Sequence, residues 1–511
     1  MKKINFSSRV LSFVGSELFF RLIVGLLVVQ ALWIALSASY PMAFDEDFHF
    51  GIIRLYAHHL SPFWSSNPTN GDAFGPVARD PSYLYHYLMS FPYRLISLFT
   101  DNQVTQVIFL RLLNIALFAA SLPLFRRLLL LVRTSRTVVH TCLAVFVLVP
   151  IVPLLAGQIN YDNLFIPLTA LVLLLTLQFV EELSAYKRIN TKKLLQLIAL
   201  CFATSLVKYA FLPIFMIVAL FVSARLIAVY RKRHRFWISL AFGVTLMGRY
   251  TRWWLLLAVV VALGLFWQRI GNNVIHYHSP IPDCAQVLSV QRCSAYGPWL
   301  RDYNFAQTKT EAKDAADTPR SIVGYSNDWL DAMWLRSYFA VDGPRTTFET
   351  RGPFLLPAKG ALLLAWLGAI LLSATSWKIW RKYDHPALWL FIFATLVYVT
   401  TLWLNAYSSF LQTGQPVGIN GRYLLPVLPM ILVVVALGYV QLLKQWPKLG
   451  VLALLAVLLC LSWGGGTLTY ILRSNDTWYW NSRAVQSTNH AVKRVVAPLV
   501  PGSNNPTAYL P

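Results

Sequence analysis

The stretch FDEDFHFG at residues 44–51 sets Asp45, Glu46, Asp47 and His49 among three phenylalanines, just after the first long apolar run of the chain. A carboxylate or an imidazole so placed can take a proton from a hydroxyl, provided it lies within hydrogen-bond reach of it. Ionised groups beside a bilayer are costly unless they face water, a partner or a reaction. Four more charged residues appear where hydropathy alone would not put them: Arg111 in FLRLLN, Asp162 in QINYDN, Lys208 in SLVKYAF and Arg422 in GINGRYLLP. Cations supply the complementary chemistry, because they stabilise negative charge as it develops on a leaving group. Whether acids and bases meet depends on the elements that carry them.

Those elements are set by composition. Of 511 residues, 57% are hydrophobic and only 13% charged, against roughly 25% charged in soluble domains. About 20 apolar residues suffice to cross the hydrocarbon core as a helix. The chain therefore reads as an all-α polytopic membrane protein with about 11 transmembrane helices by that criterion. They fall near 19–40, 104–124, 138–156, 163–180, 194–207, 209–229, 253–270, 354–375, 386–404, 424–443 and 449–472. The apolar run from 194 to 229 is long enough for two helices and is divided at Lys208. The basic start and the SASYPMA exit of the first span mimic a cleavable signal, but its length and the spans that follow favour an uncleaved signal-anchor.

Orientation follows from the distribution of Lys and Arg. Basic residues crowd into 1–18, 126–136, 187–193, 231–235, 377–382 and the 444–448 turn, which places the N-terminus and these segments in the cytoplasm. The formal charge of +23 is then a topology signal that implies anionic membrane lipid as a partner and no nucleic acid. The predicted organisation is a cytoplasmic N-terminus (1–18), an N-terminal membrane module (19–230) with an outer loop at 41–103, and a basic interfacial segment (231–252). A C-terminal membrane module (253–472) follows, with an outer loop at 271–353 and an outer tail at 473–511. Helical spacing of Ile52, Leu55, Tyr56 and Leu60 predicts an amphipathic helix in the first loop.

This arrangement brings Asp45–Asp47, His49, Arg111, Asp162, Lys208 and Arg422 near one level at the outer face of a cell membrane. Each has a plainer alternative. Asp45 would serve equally as a helix N-cap, Arg111 as a structural ion-pair partner of a first-loop acid, and Lys208 and Arg422 as snorkelling interface residues. Cys284 and Cys293 lie nine apart on the oxidising side and are expected to form a structural disulfide; Cys142, Cys201 and Cys460 fall in spans as apolar filler. No zinc-type spacing of cysteine and histidine appears, and no metal ligand is assigned. Trp299, Trp329 and Trp334 in the second loop are read as packing residues before sugar-stacking ones.

The order of these motifs resembles the GT-C superfamily of membrane glycosyltransferases, which use polyprenyl-phosphate-linked sugars. Protein O-mannosyltransferases and lipid A aminoarabinose transferases belong to it. FDEDFHFG is similar to its D-E-x-x-H-F signature. DPSYLYHYLMSFPYRL at 80–95 resembles its H-P-P-L-Y-Y segment, with Asp80-Pro81 in place of His-Pro. Arg111 resembles the arginine of its second span, INYDNLFIPL its second-loop acid, SLVKYAFLP its K-Y motif and GRYLLPVLP its G-R-Y-L-L-P segment.

The resemblance covers residues 20–230 and, more thinly, 330–440. It implies an inverting transfer of a sugar from a polyprenyl-phosphate donor to a hydroxyl of a glycan, lipid or protein acceptor. Asp45 would be the base with Glu46 second, and Arg111 would orient the acid. Lys208 and Arg422 would grip the lipid phosphate, and Asp162 would bind donor or acceptor. Substrate contacts are further implied at His49, Tyr423, Tyr85 and His86. No cofactor is required by this reading, and a divalent metal stays open because the superfamily has members of both kinds. The competing reading is a lipid-linked sugar flippase or other polytopic transporter, although the paired, interrupted helices of two related halves are not evident here.

Overall fold

The computed structural model describes residues 6–311, 321–339, 385–443 and 476–499, apart from 43, 231–232 and 246, together with short pieces between 446 and 474. It is all-helical over these residues, with six helices long and apolar enough to cross a membrane. The fold is that of an α-helical membrane protein. The six are α1 (Glu17–Ser37), α2 (Gln103–Leu130), α3 (Asp162–Tyr186), α4 (Tyr209–Val229), α5 (Arg249–Tyr277) and α6 (Pro386–Thr413).

Burial separates these helices into a centre and a periphery. Most of the apolar window of α3, 72% of it, is buried within the protein, whereas only 17% is in α4 and in α5. The first is a central pillar, and the other two leave broad apolar surface for lipid. Polar side chains start several of these helices. Ser16 accepts the Phe19 amide to open α1, and Asn102 accepts those of Val104 and Thr105 to open α2. Such side chains satisfy amides that the helix itself leaves without acceptors.

Departures from the sequence expectation trace to proline and to helix continuity. The predicted span at 138–156 is two shorter helices, Arg136–Leu148 and Ile151–Ala156. Pro150 forces Val149 out of the helical region, to ψ 120°, because its ring crowds the preceding residue. The span expected from 424 starts at Leu428, after a single 3-10 turn at Gly421–Leu424. Helix α5 continues beyond 270 to Tyr277 through a π-helical turn at Trp267–Gly271. The divide at Lys208 is present, between the Thr191–Val207 helix and α4. The predicted span at 354–375 and most of that at 449–472, with Cys460, lie outside the described residues.

Two helices in the 41–103 segment, Glu46–Ala57 and Leu84–Ser97, pack together at one end of the bundle. Arg94 ties them by donating to the carbonyls of Tyr56, Ala57 and His59. The second long segment brings the Cys284–Cys293 disulfide, with Cα atoms 5.9 Å apart, onto the first. Arg292 grips Asp72 through two hydrogen bonds of 2.7 and 2.8 Å. Trp299 stacks on Tyr303 beside the disulfide, and Trp329 and Trp334 are buried, so the tryptophans pack the protein. Replacing both Cys284 and Cys293 by serine should remove about 2–3 kcal/mol of local stability. Hydrogen exchange should then accelerate across 284–299 while the amides of α3 keep their protection.

Candidate functional site

The candidate site lies where the N-terminus of α3, the Lys208 turn and the Gly421–Leu424 turn meet the chain leaving α1. Three acid–base pairs form there, and they divide the acids of FDEDFHFG between two roles.

Glu46 and Arg111 make the deepest pair. Both side chains are wholly enclosed, joined by contacts of 2.8 Å (Nε to Oε1) and 2.7 Å (Nη2 to Oε2). The remaining Arg111 hydrogens go to the carbonyls of Ala35, Ala38 and Ser39. All five guanidinium N–H groups are thus used. Glu46 also accepts the Met42 amide on Oε2 and the Ile159 amide on Oε1, so each oxygen has two donors. The Trp480 ring, from the segment that pairs with residues 37–39, covers the guanidinium at 5.4 Å. A carboxylate so enclosed has no path to a substrate proton. The structure therefore removes Glu46 as an alternative base and makes it, with Arg111, the anchor of the turn above it.

That turn carries Asp45. Phe44 and Asp45 both have φ 67°, in the left-handed region, which non-glycine residues adopt only when their surroundings hold them there. Glu46 holds the turn from below. Asn160 and Arg422 each donate to the Phe44 carbonyl, at 2.9 and 2.7 Å. Asp45 occupies the N-cap position of the Glu46–Ala57 helix, yet its side chain makes no capping bond. Its Oδ2 instead accepts from Arg422 at 2.7 Å, and its side chain remains 59% exposed beside an arginine that is 4% exposed. Asp47 is also exposed. Asp45 is thus an open carboxylate steadied by a buried cation.

The third pair joins Lys208 to Asp162 at 2.6 Å, with both side chains buried. The rings of Tyr161 and Tyr423 lie 4.5 and 4.9 Å from the ammonium. Burial pulls the Lys208 ammonium below its usual range, and the Asp162 charge offsets part of that loss. Asp162 Oδ2 is buried without a partner. Asn160 links this pair to the Asp45 turn: its Oδ1 accepts the Asp162 amide while its Nδ2 donates to Phe44. Lys208 and Arg422 are therefore not snorkelling residues.

His49, Tyr85 and His86 lie beneath the site and are fully buried, so the substrate contacts expected of them give way to support of its base. His86 Nδ1 faces the Ser82 carbonyl at 3.1 Å and so carries a hydrogen; its Nε2 must then accept from His49 Nδ1 at 2.9 Å. Tyr85 donates to Asn114 at 2.8 Å. Burial holds the His86 imidazole down to about 3, and burial, then the neighbouring His86 ring and the Arg422 and Lys208 charges, drive His49 well below its ordinary value. Both rings are neutral at neutral pH. Among the described residues no three His, Cys, Asp or Glu side chains come together as metal ligands, and Asp45 already has Arg422 as its counter-charge.

Sequence reasoning missed Tyr296 and gave Asp80 no role at the site. Tyr296 packs 6.1 Å from Phe48 and against Gly75, where an added Cβ would stand 3.0 Å from the tyrosine ring at φ +77°. Burial, then the charges of Asp80 and Asp45, raise the Tyr296 phenol. Asp80 is itself raised by burial; its Oδ1 accepts from Ser82, whose hydroxyl accepts the Tyr209 amide beside Lys208. No spacing rule links Tyr296 to Asp45 across some 250 residues.

No protein-family profile matches the chain, and a search of curated proteins finds none significantly similar to it.

Two outcomes follow from these geometries. Glu46→Gln leaves a fully enclosed guanidinium without its counter-charge and should cost about 3–5 kcal/mol, whereas Asp45→Asn, at a pair open to water on the acid side, should cost only about 1 kcal/mol; comparable losses for both would contradict the division between anchor and open acid. The neutral histidine pair also sets a pH dependence. Below about pH 6.5 an unfolded histidine binds a proton that the folded one does not take up until about pH 3 for His86, so stability should fall as pH drops through that window, by up to 1.4 kcal/mol per unit per histidine. His86→Gln should flatten the slope of melting temperature against pH over that range.

Proposed function

We propose that the protein is an inverting glycosyltransferase that moves a sugar from a polyprenyl-phosphate carrier to an acceptor hydroxyl, with its site on the outer face of the membrane. The observation that carries this reading is the open Asp45 carboxylate, held in a left-handed turn and paired with the buried Arg422. A base and a cation in direct contact at the end of an apolar bundle suit a donor whose leaving group is a lipid-borne phosphate.

In this reaction Asp45 Oδ takes the proton of the acceptor hydroxyl as its oxygen attacks the anomeric carbon. The new C–O bond forms as the bond to phosphate breaks from the opposite side, which inverts the carbon. The bonding pair leaves with the polyprenyl phosphate. Once protonated, Asp45 no longer balances Arg422, and the guanidinium charge becomes available to the departing phosphate at the moment it is needed. Arg422 Nε is buried without a partner, so a donor is spare for that purpose. Lys208 adds a second cation, moderated by Asp162. Glu46 and Arg111 touch no reacting atom and act by holding the turn. Tyr296, Tyr209 and Asp80 line the wall where a sugar and its acceptor would sit.

General bases contribute about 10²–10⁴ in rate. Asp45→Asn should lower turnover of the accepted polyprenyl-phosphate sugar by that factor while the protein stays folded and binding of the lipid phosphate is retained. Arg422→Gln should lower it as well. A panel of radiolabelled donors, with membrane extract as the acceptor source, provides the assay. If no donor turns over, and lipid crosses the bilayer equally well in wild type and Asp45→Asn, the transferase reading fails in favour of a flippase.

A further inference from the structure

At the opposite end of α3, about 36 Å from Asp162 by the helical rise, the protein holds a second polar feature that the carboxylate site does not use. A cavity of about 550 Å³ opens between the end of α3, the start of the Thr191–Val207 helix, the short Arg233–Thr245 helix and the start of α5. It is a built feature. Ser239 Oγ accepts the Ile189 amide at 3.0 Å, and Thr191 donates to the Leu240 carbonyl at 3.3 Å. Gly243 sits so close that an added Cβ would come within 2.1 Å of Thr191 Oγ1. The short helix is thereby fastened across the mouth of the 187–191 turn.

The cavity's charge is one-sided. Glu182, its one lining acid, is already engaged by Lys193 and by Asn190. Arg188 and Lys192, both exposed at its rim, also line it, and among the described residues neither forms an ion pair with a carboxylate. Arg188 lies 5.9 Å from the Phe242 ring. The Thr251 hydroxyl adds a neutral donor, while that of Thr191 is given to Leu240. Gly248 opens α5 without a side-chain cap, so the first amides of that helix also have no acceptor within it. Two uncompensated cations with hydroxyl and amide donors in one cavity suit a phosphate group.

The surroundings identify what bears that phosphate. Trp237, Phe242, Tyr250, Trp253 and Trp254 are all about half exposed or more at this end of the bundle, and aromatic side chains of this kind mark the level of lipid headgroups. Beyond them α5 presents Leu257, Val260 and Val261 to the outside, an apolar track on which acyl chains can lie. A soluble phosphate would use the cations and leave this track bare.

We infer that the cavity bounded by Arg188, Lys192, Thr191 and Thr251 binds the phosphodiester headgroup of an anionic membrane phospholipid. The site is separate from the carboxylate site, and its lipid tethers the Arg233–Thr245 helix to the ends of α3 and α5.

The test uses full-length protein, delipidated in detergent, and follows its melting temperature against added dioctanoyl phosphatidylglycerol, dioctanoyl phosphatidylcholine or inorganic phosphate. Phosphatidylglycerol should raise the melting temperature saturably, and neither of the others should do so at the same concentration. In Arg188→Gln/Lys192→Gln the concentration giving half the effect should rise at least tenfold. Arg127→Gln/Arg133→Gln removes the same charge from equally exposed positions at the same end that do not line the cavity and should behave as wild type. Equal responses in both double variants would reduce the effect to general surface charge and overturn the assignment. So would an equal response to phosphatidylcholine, and a saturating response to inorganic phosphate alone would replace the lipid with a soluble anion.

Discussion

The site depends on an ion pair sealed from water. Moving a carboxylate and a guanidinium out of solvent costs several kcal/mol each, and their attraction offsets this only when every remaining donor and acceptor is satisfied. Glu46 and Arg111 meet that condition. The partners that complete their hydrogen bonding are backbone groups at Ala35, Ala38, Ser39, Met42 and Ile159. The pair thus fastens the end of α1, the first turn after it, α2 and the entry to α3 at one point. Because the fastening uses backbone groups, it fixes where the chain runs and not merely where side chains lie. The left-handed turn at Phe44 and Asp45 is a consequence: it is the path left between Glu46 below and Arg422 and Asn160 beside it.

Charge is then graded with depth. Glu46–Arg111 is closed, Asp162–Lys208 is buried with one carboxylate oxygen unsatisfied, and Asp45–Arg422 is open on the acid side. Each pair is neutral as a unit, which keeps the desolvation cost tolerable at the edge of an apolar bundle. On the proposed reading, proton transfer to Asp45 unbalances only the outermost pair, and it does so where a phosphate departs. The neutral His49–His86 pair fits this pattern, since a further buried positive charge would compete with Arg422 and Lys208 for the same anions.

Much of this is legible in the sequence. Long apolar runs and sparse charge imply membrane-spanning helices because the backbone must satisfy its own hydrogen bonds in lipid. A lysine between two apolar runs marked the break at 208, since its charge is tolerated more readily at a helix end. Cys284 and Cys293, nine apart in a loop placed on the oxidising side, were expected to pair, and they do. Misplaced boundaries had local causes that hydropathy averages over: Pro150 divides one expected span, and the π-helical turn at Trp267–Gly271 carries α5 past its apolar limit. The need of a buried arginine for a counter-charge also pointed Arg111 to a first-loop acid, though not to which one.

What the sequence by itself determined is therefore the inventory: an all-helical membrane protein, and the acids, cations and histidines gathered at one end of it. Adjacent acids in FDEDFHFG are chemically equivalent on paper, because burial is a property of the surroundings and not of the residue type. Only the tertiary structure decided that Glu46 turns inward to Arg111 while Asp45, one residue earlier, turns outward to Arg422. It also brought Tyr296 and Trp480 to the site from distant segments, and seated Lys208 against Asp162 in place of the membrane interface. The physical reason is the same in each case: pairing in a low-dielectric interior selects partners by three-dimensional proximity, which no local pattern encodes.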